Sequence, residues 1–179
     1  MPLATRLLDA SAMAHALDRM AGEVVERSAG GEGLVLVGIQ RRGVELAERL
    51  AALIGGGTGR TPVLGKLDIT LYRDDLQAIG PRPVVGETHL PHDLDGATVI
   101  IVDDVLYTGR TVRAALDELA DFGRPRRILL CVLVDRGGRE LPIQADVAGT
   151  TVETGPGDHV HVRVRELDGE DAVDLIRGG

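Results

Sequence analysis

The stretch VIIVDDVLYTGRTV, residues 99–112, decides how this chain is read. Four apolar residues run into two adjacent carboxylates, Asp103 and Asp104, and Gly109 follows between Thr108, Arg110 and Thr111. A short, continuous apolar run suits a strand buried on both faces of a parallel sheet. The turn behind it, opening a helical pattern, suits an anion. Backbone N–H groups at a helix N-terminus point outward, glycine permits close approach, and the threonines add hydroxyl donors. Two carboxylates touching the same anion would repel it by several kcal/mol if poorly solvated. They must therefore face a neutral group rich in O–H donors. A ribose diol whose 5′-phosphate reaches the turn satisfies both halves of the stretch.

On either side of this stretch the same grammar repeats. LVLV at 34–37 is a second short apolar strand, leading through GIQRRG at 38–43 into a helix carrying Leu46, Leu50 and Leu53, closed by the glycines 55–57. Ahead of it, a helix is expected from a Ser11 cap to Glu26, with Met13, Leu17, Met20 and Val24 on one face. A helix from Val112 to about Phe122 precedes a third apolar strand, ILLCVLV at 128–134, which stops at Asp135, Arg136, Gly137, Gly138 and Arg139. Between the second helix and the opening stretch, Leu67, Ile69 and Leu71 alternate with polar residues before the prolines 81, 83 and 91. This predicts a half-exposed strand and an excursion over 67–90. Val160, Val162 and Val164 predict an edge strand with His161, Arg163 and Arg165 on its polar face, and a short helix is expected to close the chain.

Strand, crossover helix and strand in repetition predict a doubly wound, mainly parallel α/β sheet flanked by helices. Ligands in such sheets bind beyond the carboxyl ends of the strands. The loops 38–43, 103–111 and 135–142 stand at three such ends and should converge.

Composition narrows the chemistry. At 179 residues one domain, spanning 1–179, is expected, and a net charge of −8 gives no general attraction for nucleic acid or an anionic membrane. Lys66 is the only lysine, which removes most Schiff-base and lysine phosphate-clamp mechanisms. Cys131 is the only cysteine, so neither a disulfide framework nor a cysteine metal site is available. With no signal-like start and no apolar run near the ~20 residues of a membrane span, a cytoplasmic protein is expected. The histidines show no ligand spacing. The nucleotide P-loop is rejected because its first glycine and its lysine are missing, and the G-x-G-x-x-G fingerprint is absent. A phosphorelay receiver also ends a strand in adjacent acids, but there the pair lies near the chain start and a later strand carries a lysine.

VIIVDDVLYTGRT resembles the PRPP-binding motif of the type I phosphoribosyltransferases. The resemblance implies that Asp103 and Asp104 hold the ribose and that Thr108, Gly109, Arg110 and Thr111 hold the 5′-phosphate. It implies that Gln40, Arg41 and Arg42 form the pyrophosphate loop, and that Mg2+ arrives with PRPP. Purine-specific relatives commonly keep an aspartate where this chain has Tyr107, which argues for a pyrimidine. LDITLYRDDL at 67–76 and VLVDRGGRELPI at 132–143 are similar to the pyrimidine operon attenuators that double as uracil phosphoribosyltransferases. That likeness implies a small β hood with a flexible loop over about 67–90, Tyr72 and Arg73 closing over PRPP. It also implies a uracil site at Tyr107, Val134, Asp135, Arg136 and Ile143, largely through backbone groups.

The same likeness implies a homo-oligomer that binds UMP or UTP and, in its nucleotide-bound form, the leader mRNA of a pyrimidine operon. Arg19 and Arg139 are the leading basic contacts, with Arg27, Arg136, Arg163 and Arg165 behind them. Gly138 and Gln144, standing where several relatives are basic, weaken that expectation.

Overall fold

The computed structural model describes residues 3–70, 88–91 and 93–179. Five strands form an all-parallel sheet: β2 (Leu34–Ile39), β3 (Val63–Leu67), β4 (Thr98–Leu106), β5 (Arg127–Asp135) and β6 (Val147–Thr151). Their order is β3-β2-β4-β5-β6, so β2 and β4 are adjacent and Gly38 stands opposite Val102. The expected doubly wound sheet is therefore present, with α1 (Ala10–Arg27) and α2 (Arg42–Thr58) on one face and α3 (Arg110–Leu119) on the other.

The apolar strands fold this way because a central parallel strand has two faces to cover. Side chains alternate between them. Leu34, Leu36, Ile100, Val102, Cys131 and Leu133 pack against α1 and α2, with Met13, Leu17, Met20, Leu46 and Leu50. Val35, Val37, Val99, Ile101, Leu130 and Val132 pack against α3 through Val112, Ala115 and Leu119. Cys131 is buried in the first of these layers, and burial pushes its thiol up to about 12, so it behaves as a small hydrophobe.

A second, three-stranded antiparallel sheet joins the two ends of the chain in the order β1-β8-β7, from β1 (Ala4–Leu8), β7 (His159–Arg163) and β8 (Ala172–Ile176). Its edge strand β7 is the alternating strand expected from the sequence. Between β7 and β8 lies a single helical turn, α4 (Arg165–Asp168).

The structure corrects several local expectations. Asp9, not Ser11, caps α1, its carboxylate accepting from the Ala12 amide at 2.8 Å. The glycines 55–57 continue α2, which ends at Thr58 with Gly59 in the left-handed conformation behind it. Leu53 is 37% exposed while Ile54 takes the buried position. Helix α3 stops at Leu119, before Phe122. The strand placed near 67–71 is β3, four residues earlier, and Ile69 is buried just beyond it. The chain closes on a strand, β8, rather than on a helix. Residues 88–91 return beside β3, His89 exchanging both backbone hydrogen bonds with Lys66. Most of the excursion, including Tyr72 and Arg73, lies outside the described residues.

Candidate active site

Beyond the carboxyl ends of β2, β3 and β4 lies a cavity of about 410 Å3. It is lined by Gln40, Arg41 and Arg42 on one side, by Asp103, Asp104 and Thr111 on another, and by Asp68, Ile69 and Thr70. Two of the three loops singled out in the sequence meet there.

Two glycines set the first wall. The loop after β2 doubles back on the end of β4 so tightly that a Cβ at Gly38 would stand 2.5 Å from the Gly43 carbonyl oxygen. One at Gly43 would stand 2.5 Å from the Val102 carbonyl oxygen, the residue just before Asp103. Any side chain at either position would push the arginines and the acids apart. Within the loop the Gln40–Arg41 peptide bond is cis, and the Gln40 amide donates to the Leu67 carbonyl at 2.8 Å. The Arg42 guanidinium donates through Nη2 and Nε to Asp168 on α4, at 2.7 and 3.1 Å.

The acids sit within β4, just past the end of its pairing with β2 at Val102, while β4 stays paired with β5 as far as Leu106. Asp103 is buried and accepts from the Asp104 amide at 2.8 Å, while Asp104 is half-buried and accepts from the Val105 amide at 2.8 Å. Burial, and then the neighbouring Asp104, push the Asp103 carboxyl well above the usual carboxylate range. No cation is bonded to either carboxylate among the described residues. The pair is a negative wall held in place by backbone amides.

The turn expected to hold a phosphate is ordered around Gly109. Gly109 has φ +95° and stands at the N-cap of α3, where it brings no side chain of its own. Thr108 Oγ1 accepts from the Arg110 amide at 3.2 Å. Thr111 faces the cavity, whereas Thr108, Gly109 and Arg110 stand next to it and are tied to the third loop. The Glu140 and Leu141 amides donate to the Thr108 carbonyl at 2.9 and 3.1 Å, and Arg110 Nε donates to Glu140 at 3.1 Å.

That third loop does not line the cavity; it docks beside it. Arg139 organises it, donating to the Ile143 carbonyl at 2.7 Å, the Tyr107 carbonyl at 2.9 Å and the Asp135 carboxylate at 2.7 Å. Burial raises the Asp135 carboxyl, but Arg139 and the Gly137 amide outweigh it and hold the group below its ordinary value. Arg136 is buried, its guanidinium 3.7 Å from the centre of the Tyr107 ring and bonded to Thr154 and to the Asp158 carbonyl. Tyr107 is 44% exposed, and Val134 is wholly buried beneath. Arg19 lies elsewhere, on α1, bonded to Glu23 and to the Ala148 and Gly149 carbonyls of β6.

Sequence reasoning missed Asp68, Thr70 and Asp168. The first two carried a signal: Asp68 accepts from both the amide and the hydroxyl of Thr70, at 2.9 and 2.5 Å, the local turn that Asp-x-Thr spacing favours. Asp168 carried none, since its partner is 126 positions away.

A family model described as the phosphoribosyl transferase domain matches residues 4–167. A protein named bifunctional protein PyrR from Thermus aquaticus is 58% identical over 169 residues, covering 94% of this chain and 93% of its own. One of the same name from Chloroflexus aurantiacus is 56% identical over 173 residues, covering 97% and 95%. Among solved structures, a hypoxanthine phosphoribosyltransferase from Staphylococcus aureus superposes with a TM-score of 0.71 at 17% identity, covering 98% of this chain and 92% of that one. A Trypanosoma cruzi hypoxanthine phosphoribosyltransferase gives 0.73 at 18%, covering 97% and 91%. At these identities the structures speak for the fold alone.

Proposed function

The chain belongs to the phosphoribosyltransferase family, and from that premise we propose that it transfers the ribose-5-phosphate of PRPP to uracil, giving UMP and pyrophosphate. One observation carries the reading. Two acids with no bonded cation among the described residues and a two-arginine loop face one cavity at the strand ends, and the first turn of α3 meets it at Thr111. Ribose hydroxyls donate to Asp103 and Asp104, the 5′-phosphate takes the amides and hydroxyls of the Thr108–Thr111 turn, and the pyrophosphate meets Arg41 and Arg42.

The reaction is a displacement at ribose C1. The bond from C1 to the pyrophosphate oxygen breaks ahead of full bonding to uracil N1, leaving oxocarbenium character on the ring, and the N1–H proton passes to water or to the departing pyrophosphate as the N1–C1 bond forms. Asp103 and Asp104, already held by backbone amides, stabilise the positive charge as it grows and need no reorganisation to do so. Arg41 and Arg42 oppose the charge of the departing group. Among the described residues no cluster of three or more His, Cys, Asp or Glu could cage a metal. The cavity's oxygen donors, Asp68, Thr70, Asp104 and Thr111, suit a Mg2+ held chiefly by PRPP oxygens and water, where it supplies charge neutralisation to the leaving group. Tyr107, stacked on Arg136, and the backbone of the 135–143 loop form the base side of the site.

Purified protein incubated with PRPP and each free base is expected to form UMP from uracil. Exclusive formation of a purine nucleotide would overturn the assignment. The likeness to the bifunctional PyrR proteins supports a second activity, UMP-dependent binding of a pyrimidine operon leader RNA. A gel shift with such a leader, with and without UMP, tests it. Because Arg139 also fastens the loop beside the site, Arg139→Ala is informative where it abolishes the shift and leaves UMP formation in place.

A further inference from the structure

We propose that Asp168 is a positioning residue for the pyrophosphate site: it holds Arg42 by one edge of its guanidinium, so that the arginine faces the leaving group and not the acids of β4. The inference rests on the reading of the cavity as a PRPP site.

Arg42 stands on the cavity wall with two kinds of carboxylate within its reach. Asp104 lines the same cavity and acts on it electrostatically. Asp168 lies across the loop on α4 and takes Nε and Nη2 side-on, at 3.1 and 2.7 Å. A forked arginine–carboxylate contact of this kind fixes orientation as well as charge. It leaves Nη1 as the edge free of any bond drawn among the described residues.

Asp168 is itself held. It accepts from the Val164 amide at 2.8 Å, so the turn α4 closes on its own last carboxylate. That turn is fastened to α2, one helical turn beyond Arg42 and more, by Arg49. Arg49 binds Glu166 at 2.6 and 3.0 Å and Asp171 at 2.7 and 3.1 Å. The C-terminal hairpin is thus riveted beside the pyrophosphate loop, with Asp168 the one member of the group that reaches a cavity residue.

If the carboxylate is removed, the acid that still acts on Arg42 is Asp104, which lines the same cavity. A pair between them would mask a phosphate-binding cation and a ribose-binding anion together. Phosphate affinity should fall while the base side of the site is untouched.

The test compares Asp168→Asn, Asp168→Glu and, as a control, Glu166→Gln, which loosens the same turn without touching Arg42. Steady-state kinetics with PRPP and uracil are paired with calorimetric titration of Mg2+-PRPP alone. Asp168→Asn is expected to raise both KM and Kd for PRPP about tenfold, the worth of one charge-assisted contact, with KM for uracil unchanged. Asp168→Glu should recover much of the loss, and Glu166→Gln should lower the melting temperature without moving the PRPP constants. Unchanged PRPP constants in Asp168→Asn, or tighter PRPP binding, overturn the inference. So does an equal shift in Glu166→Gln, which would mark a merely structural role. Wild-type protein that binds PRPP but does not convert uracil overturns the uracil assignment and leaves the Asp168 ratio readable; wild-type protein that binds no PRPP overturns both.

Discussion

Two groups of carboxylates in this chain live under opposite electrostatic rules. On the terminal sheet and its connections the two buried acids, Asp174 and Asp158, each have a cation, as do the less buried Glu166 and Asp171. Asp174 is held by Arg6 at 2.5 Å and Arg163 at 2.7 Å, Asp158 by Arg177 at 2.8 Å, and Glu166 and Asp171 by Arg49. At the end of β4, Asp103 and Asp104 stand side by side, held by backbone amides and with no cation bonded to them among the described residues. Asp158, Glu166 and Asp171 sit below their ordinary proton affinity; Asp103 is driven far above it. The terminal sheet is built to stay folded. The end of β4 carries an unfavourable charge pair that no cation among the described residues answers, which is what the proposed ribose contact would offset.

That contrast can be broken by experiment. The largest effect belongs to Asp104→Asn, which should cut UMP formation by about 10²- to 10³-fold, the scale of a preorganised electrostatic contact to a developing charge; steady-state rates with uracil and PRPP measure it. Asp103→Asn should lose comparable activity yet melt higher than wild type at neutral pH. A gain of about 2–4 °C corresponds to roughly 1 kcal/mol in a chain of this size. The sign follows from linkage. A carboxyl with a raised folded-state pKa leaves the folded protein less stable as pH rises through that value, so the advantage of the asparagine should shrink as pH falls toward the ordinary carboxylate range. A lower melting temperature at pH 7 would erase the distinction between the two regions.

Arg49→Gln should do the reverse. It strands two carboxylates, and a loss of about 1–3 kcal/mol is expected from the charged hydrogen bonds removed, read from urea unfolding. The smallest and most diagnostic effect is at Asp158. The Gly155 and Gly178 amides, with Arg177, hold its carboxyl down to about 2. Its stabilisation is complete above the ordinary carboxylate pKa, about 3.9, and is lost as pH falls toward 2. The melting-temperature deficit of Asp158→Asn should therefore be constant near neutrality and vanish across that acid window.

Much of the parallel sheet was legible because its signals are local. Apolar runs at 34–37, 99–102 and 128–134 are strands; β2 and β5 end within two residues of the runs, whereas β4 continues through the two acids to Leu106, into the stretch expected to be loop. The cavity was legible for the same reason: acids, turn and arginine loop all lie within a few residues of a strand end. The terminal sheet was legible only in its edge strand β7. β8 reads AVDLI, and Asp174 in its middle looks like a surface residue until Arg6 and Arg163 arrive from 168 and 11 positions away. β1, beginning with the exposed Ala4, gives no alternation strong enough to announce a strand. The third loop was correctly placed in sequence but stands beside the cavity, because Arg139 and the Thr108 carbonyl draw it onto the phosphate turn.

By itself, the sequence determined the buried parallel strands, the phosphate turn and the two acids before it, since each follows from the periodicity and stereochemistry of a dozen neighbouring residues. Only the tertiary structure decided which charges are answered. Arg42 could have been read as free for pyrophosphate or as ordinary surface. It is neither, because the fold brings Asp168 from 126 positions away to take one edge of it. Local chemistry can place a charge at a site; only the closure of the chain says what stands beside it.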